Sequence, residues 1–142
     1  MEDAGVVFAA AALAALNDLP LECDGIARCL SQLLLREGIE HEIHVGALEV
    51  EGVGRIDLHC WVKLPGGQIC DARAEMWLGG GRGVPHGVFE PHAGQRYLSR
   101  GVVQSEASPI LFLILSDQSL EEFVVTIPSE APMQMMSANR QR

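Results

Sequence analysis

Over residues 24–37 the apolar positions fall at Ile26, Ala27, Cys29, Leu30, Leu33 and Leu34, the 3.6-residue period of a helix with one buried stripe. Gly38 follows where a left-handed C-cap belongs, so the pattern predicts that the helix stops there. Upstream, residues 3–17 are rich in alanine and Pro20 closes the segment, which predicts a first helix ending near Asn17 or Asp18. After Gly38 the period changes to two. Residues 41–50 read as a strand, and residues 56–64 as a cleaner one. Its apolar face carries Ile56, Leu58, Cys60, Val62 and Leu64, and its polar face Asp57, His59, Trp61 and Lys63. Pro65-Gly66-Gly67 turns the chain back into a short return strand over 68–72, making an antiparallel hairpin.

The remainder is less periodic. Residues 79–94 are rich in glycine and hold two prolines, which predicts a surface loop. Residues 110–115 are uninterruptedly apolar and read as a fully buried strand. From Pro128 onward methionine, proline and polar residues mix, and a fraying tail over 128–142 is expected behind one domain over 1–127. Helices first and an antiparallel sheet after them define an α+β fold class, with no internal repeat.

Composition narrows the function. The 142 residues are 48% hydrophobic, with 19 acids against 10 bases and a net charge of -9, as suits one globular domain with a real core. Lys63 is the single lysine and the arginines are scattered. No positive stripe exists to bind a phosphate backbone or an anionic bilayer, so neither nucleic acid nor membrane is an expected partner. The apolar run over 4–16 is 13 residues, against about 20 for a spanning helix. Glu2 and Asp3 precede it where a secretory signal would be basic. Four cysteines without a CxxC pair suggest reduced thiols in a cytoplasmic setting rather than a disulfide scaffold or a zinc site. His41, His44, His86 and His92 have no ligand spacing, and no metal or cofactor is expected.

One thiol stands apart. Cys23 lies at the start of the predicted second helix, where unpaired N–H groups and the helix dipole favour a thiolate. His59 lies on the polar face of its strand and Asp71 on the return strand. A two-residue loop at Gly66 and Gly67 would set Asp71 opposite Val62. A three-residue loop at Leu64, Pro65 and Gly66 would set it opposite His59, within reach of the imidazole. A Cys, a His and an Asp so arranged are the parts for acyl transfer through a thioester. Cys29, Cys60 and Cys70 fall on apolar faces and are expected in the core. Trp61 reads as a packing residue beside the site or as a substrate contact.

The spacing resembles the transglutaminase-like branch of the papain-like cysteine protease superfamily. Cys23, Ala27, Gly38-Ile39 and Gly46 match its helix and following strand without a gap. His59-Cys60-Trp61-Val62 and Asp71-Ala72 match the His strand and the segment after the next turn. Glu22 stands before the Cys where that family often has a small residue, and Asp71-Ala72-Arg73 replaces its usual Asp-Pro-Thr. The resemblance implies a papain-like core, with Cys23 as nucleophile, His59 as base and Asp71 as the residue orienting His59. It also implies a peptide or glutamine amide of a protein as substrate. Papain-like enzymes often use an amide side chain six residues before the nucleophile as an oxyanion donor, the position of Asn17. A non-catalytic binding or assembly module on the same fold is the alternative.

Overall fold

The structure, a computed structural model, describes residues 3–128; the tail expected beyond Pro128 lies outside the described residues. The described chain is α+β. Helices α1 (Ala4–Leu16) and α2 (Cys23–Arg36) come first. Strands β1 (Glu42–Val50), β2 (Gly54–Lys63) and β3 (Ile69–Asp71) follow, then α3 (Ala74–Leu78), β4 (Gly87–Phe89), β5 (Gln95–Val103) and α4 (Pro109–Ser116). The sheet runs β4-β3-β2-β1-β5, antiparallel at every junction.

α1 is capped by Asp3, whose carboxylate accepts from the Gly5 N–H at 2.6 Å. Ala9, Ala12, Leu13 and Leu16 of this helix are buried in the main core. α2 begins at Cys23 itself and packs its apolar stripe, Ile26, Ala27, Cys29, Leu30, Leu33 and Leu34, against α1 and the inner face of the sheet. Its end matches the predicted cap. Gly38 has φ +73°, and the Ile39 N–H donates back to Leu34 O at 2.9 Å.

The hairpin forms in neither predicted register. Gly67 adopts φ +95°, its N–H donates to Leu64 O and the Leu64 N–H donates to Gln68 O, each at 2.9 Å. That is a three-residue loop over Pro65, Gly66 and Gly67, with Pro65 setting the first corner and Gly67 taking the left-handed position. The ladder therefore pairs Val62 with Cys70 and Lys63 with Ile69. Continued one step, it brings Asp71 level with Trp61, diagonal to His59 on the same face.

β2 does not keep the predicted alternation. Pairing with β1 passes from Gly46↔His59 to Leu48↔Ile56, so Asp57 and Leu58 together face one residue, Ala47. This bulge reverses the phase of the strand. Leu58, expected inside, is 68% exposed, while His59 and Trp61, expected on a polar face, are buried. Ile56 instead joins a second cluster with Leu48, Val50 and Ala74, capped by Leu78, Val84 and Tyr97. On the other side of β1 the register against β5 also shifts between Val45 and Gly46. A Cβ on Gly46 would lie only 2.1 Å from the Leu98 carbonyl, so only glycine lets β5 approach there.

Two further expectations are corrected. Residues 110–115 are not a strand but most of α4. Ser108 caps that helix by accepting from the Leu111 N–H at 3.2 Å, Pro109 occupies its first turn and Asp117, at φ 61°, ends it. Among its residues only Phe112 and Ser116 are buried. A six-residue apolar run is ambiguous by periodicity, and here the Ser-Pro start signal decided it. The segment 79–94 is mostly irregular but contains β4, which extends the sheet beyond β3.

Candidate active site

Cys23 is the first residue of α2, its thiol half-buried. His59 comes from β2 and Asp71 from the end of β3, both buried. The structure thus brings the three predicted residues to the place where the N-terminus of α2 meets the sheet. Glu22, the residue before the thiol, is exposed and makes no side-chain cap.

Asp71 is held by three donors. Its Oδ2 lies 2.7 Å from His59 Nε2 and accepts from Tyr97 Oη at 2.8 Å. Its Oδ1 accepts from the Arg73 backbone N–H at 3.0 Å. A carboxylate so placed only accepts, so Nε2 carries the imidazole proton. The other ring nitrogen, Nδ1, is buried without a hydrogen-bond partner among the described residues. It is the nitrogen left to exchange a proton with a thiol.

The electrostatics pair the two groups. For Cys23 the strongest influence is a hydrogen bond from the Cys60 thiol; burial opposes it, and His59 and the Cys60 backbone N–H add to it, holding the pKa down to about 5. For His59 burial alone would lower the pKa and is the largest single influence. Asp71 and Cys23 together outweigh it and lift the ring to about 9. Between those values the pair is a thiolate and an imidazolium, titrating as one unit. Cys60 is pushed far up, first by its hydrogen bond to Cys23, then by burial and by the Cys23 charge, so it stays a neutral donor. Tyr97 is likewise pushed up by burial and by the Asp71 charge, and its hydroxyl remains a donor well into the alkaline range.

The remaining candidates sit as follows. Trp61 is 2% exposed, its ring 4.9 Å from Tyr97, 5.9 Å from His44 and 6.2 Å from His59 between centroids. It walls the site and offers a substrate no open surface. Asn17 is the C-cap of α1, and its side-chain oxygen accepts from Arg73 Nη1 at 2.9 Å. The structure engages it with Arg73 and not with the thiol. Cys29 and Cys70 are buried as expected, while Cys60 is half-buried beside Cys23; all four thiols are free. No group of three or more metal-ligating side chains occurs among the described residues. No helix among them is long and apolar enough to cross a membrane.

Sequence reasoning missed Tyr97, Arg73 and the second role of Cys60. Tyr97 carries no local signal, because it reaches Asp71 only through the sheet order and the irregularity at Gly46. Arg73 had one: it stands where the resembled pattern breaks. Scans against protein-family models, curated proteins and solved structures return no match to this chain.

Proposed function

We propose that the chain is a cysteine-dependent acyl-transfer enzyme on a papain-like, transglutaminase-like core, acting on peptide or glutamine amides as a hydrolase, deamidase or transglutaminase. One observation carries the reading: His59 is bound through Nε2 to the buried Asp71, while Nδ1 is left unpartnered and the ring acts on a thiol whose pKa is held down to about 5. In the reaction the Cys23 thiolate attacks the acyl carbon. The tetrahedral oxyanion is received by the Cys23 N–H at the helix N-terminus. Collapse breaks the C–N bond, and the His59 imidazolium gives its proton to the departing amine. The neutral imidazole then takes a proton from water, or from an acceptor amine, as that nucleophile attacks the thioester. The product is a free acid in the first case and a new amide in the second. Asp71 keeps the ring in the required tautomer and supports its positive form.

A second reading, a non-catalytic binding or assembly module, is favoured by a different observation. The cavity shared by Cys23, Cys60, Asp71 and Arg73 encloses about 10 Å³, roughly one water. An acyl donor has to approach from the exposed side of Cys23. The two readings separate by mass spectrometry of proteins incubated with the chain. A cut, a gain of about 1 Da at glutamine or a crosslink, each lost in Cys23→Ala, is the expected result. Substrate proteins that stay unmodified while binding equally to wild type and Cys23→Ala would favour the module.

A further inference from the structure

The residue break after Asp71 places a buried guanidinium between the two halves of the site. Arg73 is 8% exposed, and each of its five N–H donors is used. Nε donates to Leu21 O at 2.6 Å. Nη1 donates to Asn17 Oδ1 at 2.9 Å and to Ala72 O at 2.8 Å. Nη2 donates to Asn17 O and Leu19 O, each at 2.9 Å. Every acceptor is uncharged, so the group is not half of an ion pair. Four of the five acceptors lie on the connection that leads from α1 into Cys23.

Leu19 and Leu21 pack against the main core, but apart from those to Arg73 no hydrogen bond among the described residues ties this connection to the sheet. Glu22 occupies the N-cap position of α2 without a side-chain cap. Within the connection the Leu19 N–H reaches Leu16 O at 3.1 Å and the Leu21 N–H reaches Leu19 O at 2.8 Å, but neither bond ties it to the sheet. Leu21 rests on the first turn of α2, where a Cβ on Gly25 would come within 3.0 Å of it. The backbone of Arg73 meanwhile donates to Asp71. One residue thus grips the chain two positions before the nucleophile with its side chain and the His-orienting carboxylate with its backbone.

We propose that Arg73 is the positioning residue of this site: its planar fork clamps the carbonyls of Asn17, Leu19 and Leu21 and so sets the N-terminus of α2, with Cys23, against His59 and Asp71. The proposal deepens the acyl-transfer reading and rests on it. A lysine has the charge but not the fork, and its three donors on one atom cannot serve acceptors spread over three residues of the connection. Arg73→Lys should therefore fail where a purely electrostatic role would be rescued.

The test is the pH dependence of Cys23 alkylation by iodoacetamide in the full chain, read together with the downfield proton resonance of the His59–Asp71 hydrogen bond. Alkylation passes through no tetrahedral oxyanion, so it separates the clamp from any oxyanion role of Asn17. For Arg73→Lys the midpoint should rise by roughly one pH unit while the resonance persists. Asn17→Ala, which removes one acceptor, should raise it by less, and it keeps the clamp testable if Arg73→Lys does not fold. An Arg73→Lys midpoint equal to wild type overturns the clamp and leaves the acyl-transfer reading standing. Loss of the resonance together with the shift overturns it too, because Arg73 would then hold the whole fold and not the helix start. A wild-type Cys23 that titrates as an ordinary thiol removes both readings at once.

Discussion

Cys23 and Cys29 lie on the same helix, less than two turns apart, and the protein drives their thiols in opposite directions. Cys29 faces the core between α2 and its neighbours, where burial with no compensating partner raises its pKa to about 11. Cys70, on β3, is raised to about 12 by burial and then by the neighbouring Asp71 charge. Cys23 is also penalised by burial, yet the Cys60 thiol and His59 reverse the sign and bring it to about 5. Burial by itself makes a thiol inert; burial with donors directed at the sulfur makes it a thiolate. The start of α2 and its middle therefore differ in chemistry through what faces them across the sheet, not through the helix they share.

The comparison breaks most readily by alkylation at pH 6. From the two pKa values the thiolate fraction of Cys23 exceeds that of Cys29 by about 10⁵. Native protein should take up one iodoacetamide at Cys23, with Cys29 and Cys70 labelled only after denaturation at alkaline pH. Equal labelling, or none, would erase the distinction.

A smaller but more specific effect is expected from Asp71→Asn. With an amide in place of the carboxylate, His59 loses the partner that lifts its pKa toward about 9. The alkaline limit of the thiolate–imidazolium window should then move down, and turnover fall by roughly 10³ to 10⁴. The pH profile of kcat/KM on whichever amide substrate is found checks both. An unchanged alkaline limb would mean that another group supports the ring.

The smallest of the three is Tyr97→Phe, which keeps the ring packed on Trp61 and removes only the hydroxyl from Asp71. Stability in denaturant should drop by about 1 to 3 kcal/mol, the cost of one lost donor at a buried carboxylate. The His59–Asp71 bond should survive, so turnover should fall less than in Asp71→Asn. A loss as large as that of Asp71→Asn would make Tyr97 a full member of the relay.

α2 was legible in the sequence almost to the residue, because a single apolar stripe of helical period and a left-handed glycine are local properties. The same holds for α1 and for the existence of the hairpin. Local chemistry also pointed to Cys23, His59 and Asp71, since a helix start and two neighbouring strands constrain where three side chains can meet. The residues 110–115 were misread for the converse reason: a short apolar run fits a strand or a helix equally well, and the Ser108-Pro109 start signal that separates them lies just outside it.

What alternation along β2 did not contain was its bulge. The bulge is a register shift between β1 and β2, a property of the pairing of two strands, and it left Leu58 exposed while His59 and Trp61 are buried. The hairpin register turned on which glycine took the left-handed position, and that choice set Asp71 diagonal to His59. Tyr97 reached Asp71 because β5 lies beside β1, and Arg73 reached the approach to Cys23 because α1 lies against β3. Sequence periodicity determines which elements form and which faces they bury, because those preferences act over a few residues. The donors that charge a thiol and hold a carboxylate come from segments far apart in the chain, and only the packing of those segments decides whether they meet.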